Sequence, residues 1–485
     1  MYPTEQAEIE TALLAPSTLL VDRLTSEQQW PRPVDQLPVF LRNIEETLNK
    51  RRSTESMYTI LKNFRLSNNA VDFCSGDILS LNASGALRTR FLAELAKNPG
   101  FTPGSGGVRL MDGNYPYLEQ AERDIAAFHG AEDCLIVSSA YEANVAIWSA
   151  LPRPGDVLVY DTLVHASTHE GMKRSYKTSK VMFQHNNVQS FRSTLSKVFK
   201  EHLLVREGKR SVLVAVESIY SMDGDVCPLK ELISVAKEFS RDKGNVQFVV
   251  DEAHSIGVIG PKGSGLVCQL GVQKDVAIVV HSYGKAMGAT GATVLCSPIV
   301  RTALVNFGKS IIYTTSPSLP FVATINSGYA LLQTQQLRNA QERIQNHART
   351  FFETLTSHPL WPRVKETGLF RVPLAQGWRD RPFLTHIATV IPHEKHQYWL
   401  YVHLIAASFS VFSIPYPVVP LGQGRIRIIF HANDTEDQIM GLVNAVFTWA
   451  AEIFSMNDTG MEETETRVAR KVNEWKQREQ IRARL

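Results

Sequence analysis

The sequence predicts an α/β protein with a mainly parallel central sheet, helices on both faces, and a smaller C-terminal α+β domain. Three observations carry this. Short β-rich runs alternate with longer helical patterns between residues 71 and 330, the alternation that parallel βαβ units produce. Those runs end in polar residues, where open parallel sheets place their ligand crevice. The chain has 485 residues, 44% of them hydrophobic and 20% charged, enough for one large domain with a smaller partner.

Residues 1–70 read as an extension. A proline-rich stretch, "WPRPVDQLP", leads into "LPVFLRNIEETLNKRRS", where Leu37, Phe40, Leu41, Ile44 and Leu48 recur at helical spacing and predict a helix packed against the body. Residues 71–330 form the large domain, with strands expected at "DCLIVSS", "DVLVYD", "SVLVAVES", "VQFVVDE" and "DVAIVVHS". The helical stretch "PFVATINSGYALLQTQQLRNAQERIQNHARTFFETL" connects to the small domain, residues 331–455. Residues 456–485 are a charged helical tail; Val468, Val472 and Trp475 make a narrow apolar stripe, expected to lie on a solvated surface helix.

Composition excludes several classes. Lys plus Arg number 51 against 48 Asp plus Glu, a formal charge of +3, so no nucleic-acid-binding stripe shows and small-molecule partners are expected. Five scattered cysteines, Cys74, Cys134, Cys227, Cys268 and Cys296, form neither a disulfide framework nor a zinc knuckle. No stretch approaches eighteen consecutive apolar residues, so no membrane span is predicted, and "MYPTEQAEIE" is acidic where a secretory leader is basic. A cytoplasmic or peroxisomal location is expected, the latter because Ala483-Arg484-Leu485 has the small-basic-leucine form of a peroxisome address.

The strand ends carry the chemistry. "CLIVSS" runs into Ser138-Ser139-Ala140-Tyr141 and a helix whose first-turn N–H groups form an anion seat; simple capping by Ser139 is the competing reading. His165 and His169 stand four apart after "VLVYD", but no third ligand follows at suitable spacing and no metal is expected. Glu217 ends "VLVAVES", with Ser221 just beyond. Asp251 ends an almost wholly apolar strand, with His254 three residues later; its carboxylate needs a cationic partner to stay ionised, and a structural salt bridge is the plainer alternative. Lys285 stands among Gly284, Ala286, Gly288, Ala289, Gly291 and Ala292, small neighbours that leave space beside an amine. Pyridoxal phosphate needs a lysine for its Schiff base, an acid at the pyridine nitrogen, an anion seat and a flat side chain against the ring, and all four occur here at strand ends.

The motifs "DFCSGDILSL", "GSGGVRLMDGNYPYLEQAERDIAAFHGAED", "SSAYEAN", "DTLVHASTHEG", "ESIYSMDGDVCPL", "DEAHSIGVIGPKGSG", "SYGKAMGATGA", "YTTS" and "GRIRIIF", in one order over residues 70 to 450, resemble those of the α-oxoamine synthases. That branch of the fold-type I pyridoxal-phosphate transferases includes 8-amino-7-oxononanoate synthase, 5-aminolevulinate synthase and serine palmitoyltransferase. The resemblance implies that Lys285 carries the cofactor, Asp251 meets its pyridine nitrogen, His254 lies near the ring oxygen and His165 stacks over the ring. Ser221 would lie by the cofactor's polar edge. The backbone at Ala140 and Tyr141 would meet it near the phosphate, which Ser282 would bond, and Thr315 would reach the phosphate of a neighbouring subunit in a homodimer with shared active sites. Arg427 matches the residue that grips the amino-acid carboxylate.

Several positions depart from the family pattern. Ala140 stands in the usual Ser-Gly-aromatic run, Ser282 replaces a threonine, His281 precedes it where glycine is common, and Gly76-Asp77 replaces asparagine-aspartate. Hydroxyl and N–H groups survive these changes, so cofactor binding is expected, whereas the acyl-side contacts differ. The expected reaction is a decarboxylative condensation of a small amino acid, alanine foremost, with an acyl-CoA or carrier-bound acyl thioester, as in the biotin pathway. The rivals are the same condensation on a longer acyl or polyketide chain in secondary metabolism, an aminotransferase on the same fold, and a non-catalytic subunit, which the presence of Lys285 disfavours.

Overall fold

The computed structural model describes residues 31–53, 69–459 and 465–484. The chain divides into two compact units. The larger comprises Gly76–Gln345 with His431–Asn433; the smaller comprises Met1–Ser75, Asn346–Phe430 and Asp434–Leu485.

The larger unit is organised on seven strands: β1 (Asp133–Val137), β2 (Val157–Asp161), β3 (Ser179–Phe183), β4 (Val212–Glu217), β5 (Val246–Asp251), β6 (Val276–Ser282) and β7 (Ala292–Cys296). Their order across the sheet is β1-β7-β6-β5-β4-β2-β3. Pairs β3–β2, β2–β4, β4–β5 and β5–β6 are parallel, while β7 runs antiparallel to both neighbours. The near-continuous Val, Leu and Ile of β4 to β7 are what a sheet covered on both faces requires. Leu135, Leu158, Val249, Val280 and Val294 are buried in one cluster with Ile147 and Trp148. Because β3 follows β2 on one side and the chain then crosses back to β4 on the other side of β2, the order reverses there. The carboxyl ends of β2, β4, β5 and β6 therefore flank the place where such sheets bind ligands.

Helix α1 (Ala140–Ala150) follows β1, and α2 (Ala166–Lys173) follows β2. Each starts with a side-chain cap: Ser139 accepts from the Glu142 N–H, and the His165 ring accepts from the Ser167 N–H. These caps satisfy donors that a helix start leaves over.

In the smaller unit, β8 (Phe370–Arg371), β9 (Ile387–Pro392), β10 (Phe412–Ile414) and β11 (Arg425–Ile429) form an antiparallel sheet in the order β10-β11-β9-β8. Its core includes α3 (Gln397–Ala406) and α4 (Glu436–Asp458), the latter started by a Thr435–Gln438 capping box. By length and composition α4 could cross a bilayer, but Leu442, Val446, Trp449 and Ile453 lie in the core of this unit.

Two terminal segments differ from expectation. The tail helix α5 (Arg467–Arg484) is not a solvated surface element: Val468, Ala469, Val472 and Trp475 are buried in the same core. A stripe of three large residues suffices because α5 packs along α3, and the Lys476 ammonium lies 4.2 Å from the centroid of the Tyr398 ring. The predicted N-terminal helix forms over Val39–Ser53, yet Val39, Phe40, Leu41 and Ile44 are exposed. Its buried residue is Arg52, which donates to Glu45 at 2.7 Å and to Asn49 at 2.6 Å.

Candidate active site

Asp251 is the last residue of β5. Its Oδ1 accepts from the Ala253 N–H at 2.9 Å and its Oδ2 from Asn144 Nδ2 at 2.7 Å. Asn144 projects from α1, is buried, and also donates to Ser167 Oγ at 3.1 Å. The Ser167 hydroxyl lies 2.8 Å from His165 Nδ1, and the Ser167 N–H donates to the same nitrogen at 3.2 Å. A run of hydrogen bonds thus joins Asp251 to His165. With Nδ1 accepting, the His165 proton resides on Nε2. Burial and then the Lys285 charge lower the His165 pKa, against Asp251, which raises it, so the ring is held neutral. His169 is directed elsewhere, its ring edge-on to Tyr160 at 5.4 Å.

Glu217 sits beside Asp251 in the β4–β5 register. Burial, followed by the Asp251 charge, pushes the Glu217 carboxyl well above the usual range, although Lys285 and the His165 N–H act the other way. The two acids therefore divide their roles, Glu217 keeping its proton where a second negative charge would be costly.

The Lys285 loop is a tight return between β6 and β7. The Tyr283 N–H donates to Gly291 O at 3.0 Å, the Ala289 N–H to Tyr283 O at 2.9 Å and the Gly288 N–H to Lys285 O at 2.8 Å. Its glycines serve close packing as much as open space. Gly291 has φ +96°, and a Cβ there would come 2.5 Å from Phe321 Cζ; Gly288 has φ +62° and would meet Asn82 Nδ2 at 2.8 Å. Gly76 is different: a Cβ would lie 3.3 Å from Gly284 O and 3.5 Å from Lys285 Cα. The backbone at Gly76 thus runs directly against the lysine.

The other expected residues fall as follows. Ala140 and Tyr141 form the first turn of α1, where N–H groups point out of the helix; the Tyr141 ring stands edge-on to His165 at 6.3 Å. The Ser138 hydroxyl hydrogen-bonds the Glu142 carboxylate, bringing an acid close to this anion seat. Ser282 ends β6 opposite Ala292. Ser221 follows Tyr220 in the turn beyond β4, and His254 is buried just past Asp251. Thr315 is exposed, bridges Val108, and lines a cavity of about 260 Å³ together with Ser138 and Glu142. Arg427 belongs to the smaller unit, on β11 between Thr389 and Phe412; burial, opposed by Cys74, lowers its pKa. Sequence alone does not single out Asn144 or Ser167, although "SSAYEAN" contains the former and "DTLVHASTHEG" the latter.

On the other face of the same strands, Glu252 and His281 are fully buried and 2.9 Å apart (Oε2 to Nε2). Burial raises Glu252 to about 7, against N–H donation from Val267 and Leu266, and burial lowers His281 to about 3, against Asp251. A neutral acid and a neutral imidazole sharing one hydrogen bond fit both directions better than an ion pair does. The pair borders a cavity of about 710 Å³.

Among the described residues no group of three or more His, Cys, Asp or Glu is arranged to hold a metal. The donor set instead fits pyridoxal phosphate: an acid fixed by two donors, an amine within electrostatic reach of that acid's neighbours, a neutral imidazole, and a helix start with free N–H groups. All of these groups lie in the larger unit.

Comparison with known proteins agrees. The aminotransferase class I and II family pattern matches residues 68–446. The chain is 45% identical to the aminoacyl transferase sphA of Byssochlamys spectabilis, over 89% of this chain and 92% of that protein. It is 37% identical to the 8-amino-7-oxononanoate synthase of Emericella nidulans, over 86% and 95%. The fold matches serine palmitoyltransferase from S. paucimobilis, solved with bound PLP and myriocin, with a TM-score of 0.66 at 24% identity, covering 80% of this chain and 88% of that one. With strand-end chemistry, fold and relatives in agreement, the chain belongs to the aminotransferase class I and II family and, within it, to the pyridoxal-phosphate-dependent α-oxoamine synthases, which are acyl and aminoacyl transferases.

Proposed function

We propose that the protein joins a small amino acid to an acyl chain delivered as a thioester, releasing the thiol and CO₂, and that the acyl chain is a longer one of secondary metabolism. The observation that carries the condensation is the hydrogen-bonded run from Asp251 through Asn144 and Ser167 to His165, at the strand ends beside the Lys285 loop. An acyl chain other than that of 8-amino-7-oxononanoate synthase is favoured by the higher identity to a relative named an aminoacyl transferase, 45%, than to an 8-amino-7-oxononanoate synthase, 37%, and by Gly76-Asp77, where the family pattern has asparagine-aspartate on the acyl side. Alanine with a pimeloyl thioester, the biotin-pathway step, is the second reading, supported by that 37% relative matching over 95% of its length.

Bound pyridoxal phosphate supplies the sink for negative charge at the amino acid's α-carbon. Asp251, held by Asn144 and the Ala253 N–H, is the carboxylate that would meet the ring nitrogen and favour a proton there. Lys285 is the residue that would hold the cofactor, and its Nζ, as a free amine, would take the α-proton. His165, neutral with its proton on Nε2, offers a flat face and one donor without adding charge. By the family resemblance, Arg427 is the candidate that would grip the substrate carboxylate with its two-pronged guanidinium. The α-carbon then attacks the thioester carbonyl, the C–S bond breaks as the thiolate leaves, and the resulting β-keto acid loses its carboxylate as CO₂.

The test is to incubate the purified protein with panels of amino acids and acyl thioesters and weigh the products. An α-aminoketone with CO₂ release is expected. A stable amine form of the cofactor after amino donor alone, with no CO₂, would instead make the protein an aminotransferase. We also propose a homodimer, in which Thr315 serves the partner's site, and a peroxisomal address at Ala483-Arg484-Leu485, of which Leu485 lies outside the described residues. Sedimentation and imaging of a reporter bearing the tripeptide test these two.

A further inference from the structure

Three neighbouring strands, β4, β2 and β3, end side by side, and one imidazole touches the segments beyond all three. His185 follows β3. Its Nδ1 lies 2.8 Å from Asp161 Oδ1, at the end of β2, and its Nε2 lies 2.6 Å from Asp225 Oδ2, in the loop after β4. Two nitrogens facing two carboxylates must both carry protons, so the ring is an imidazolium. Burial would remove that charge, but the hydrogen bonds and charges of Asp161 and Asp225 outweigh it and hold the group at about 10.

Each carboxylate organises a loop that carries a cofactor residue. Asp161 Oδ1 also accepts from the Leu163 N–H at 2.9 Å, and its Oδ2 accepts from the Asn186 N–H at 2.8 Å. That turn leads directly to His165, the cap of α2. In the loop after β4, the Tyr220 N–H donates to Asp225 O at 3.0 Å and the Gly224 N–H to Tyr220 O at 2.9 Å, closing a turn around Ser221. The Tyr220 ring meets His185 edge-on at 4.4 Å, so His185 holds this turn at both ends. The ring faces three titratable groups in these contacts: Asp161, Asp225 and Tyr220.

We propose that His185 is a positioning residue that locks the loops bearing His165 and Ser221 into one arrangement and thereby sets how tightly the cofactor is held. It touches no reacting atom; its effect passes through the two carboxylates. The inference rests on the cofactor chemistry above, and its test separates the two: wild-type protein that takes up no pyridoxal phosphate would overturn the cofactor assignment itself.

Glutamine at this position can donate from one atom only and cannot bridge both carboxylates. His185→Gln is therefore expected to weaken pyridoxal phosphate binding about tenfold or more, read from the visible absorbance of the bound cofactor during titration of cofactor-free protein. The thermal midpoint of the cofactor-free variant should stay close to that of wild type. Unchanged binding overturns the proposal, as does a loss of binding accompanied by a matching loss of cofactor-free stability, because the residue would then only support the fold. Should His185→Gln fail to fold, Asp225→Asn keeps an acceptor for Nε2–H while removing one charge. It should weaken binding by a smaller factor, and an unchanged titration would again refute the proposal.

Discussion

Replacing Glu252 by glutamine separates two ionisations hidden behind the cofactor strands. Glutamine can still accept from the Val267 N–H, which reaches Glu252 Oε1 at 2.8 Å, and can donate to His281. What it removes is the ability to ionise. Burial lifts the Glu252 carboxyl from 4.5 to about 7, so its contribution to stability is complete below pH 4.5 and is lost as the pH rises toward 7. The loss is about 3 kcal/mol in all, of which about 2.5 falls between pH 5 and pH 8. His281 runs the opposite way: lowered from 6.5 to about 3, it is stabilising above pH 6.5 and loses that contribution as the pH falls toward 3. In wild type the two slopes oppose each other between pH 4.5 and 6.5, which hides both. Subtracting the variant's curve isolates the glutamate. Melting cofactor-free wild type and Glu252→Gln from pH 5 to 8 by circular dichroism should show the variant gaining on wild type by on the order of 5 °C toward pH 8. Parallel curves across that range would mean that Glu252 is already ionised in the folded protein and that the pair is an ion pair.

Three further outcomes are expected. Asn144→Ala removes a donor to the Asp251 carboxylate and should lower kcat/KM by about 10- to 100-fold, measured as CO₂ release, with circular dichroism of the fold preserved. Lys285→Ala removes the base and should abolish CO₂ release while the protein still absorbs added cofactor non-covalently; retained turnover would exclude Lys285 as the base. Trp475→Ala opens the core beneath the tail and should destabilise the smaller unit by about 3 kcal/mol, seen as an earlier transition in denaturant, whereas a solvated helix would show almost no change.

The sheet and its chemical ends were legible because parallel strands announce themselves as apolar runs, and the sheet topology directs their last residues into one crevice. That rule singles out Asp251 and the segments carrying Lys285 and His165 as candidates, while their roles come from the family resemblance. It does not single out Asn144 or Ser167, since an amide and a hydroxyl near helix starts are equally well explained as local caps. Only the fold shows that they connect an acid on β5 to a ring after β2. In the sequence, the glycines around Lys285 suggest space for a ring. At Gly288 and Gly291, positive φ and contacts with Asn82 and Phe321 account for them as well. At the termini, amphipathic spacing correctly marked helices, but burial depends on what lies opposite. Val472 and Trp475 found α3, while Phe40 and Ile44 remain exposed.

The burial of α5 has a consequence for biosynthesis. The interior of the smaller unit draws on Phe73, on much of 346–430 and on α5, with Val468 and Trp475 closing it. Nearly all of the larger unit, Gly76–Gln345, leaves the ribosome well before then. Because domains fold as units in the order of their emergence, the cofactor platform can assemble during translation, whereas the smaller unit must wait for its final helix. A ribosome stalled inside α5 would hold a finished sheet beside a half-closed neighbour.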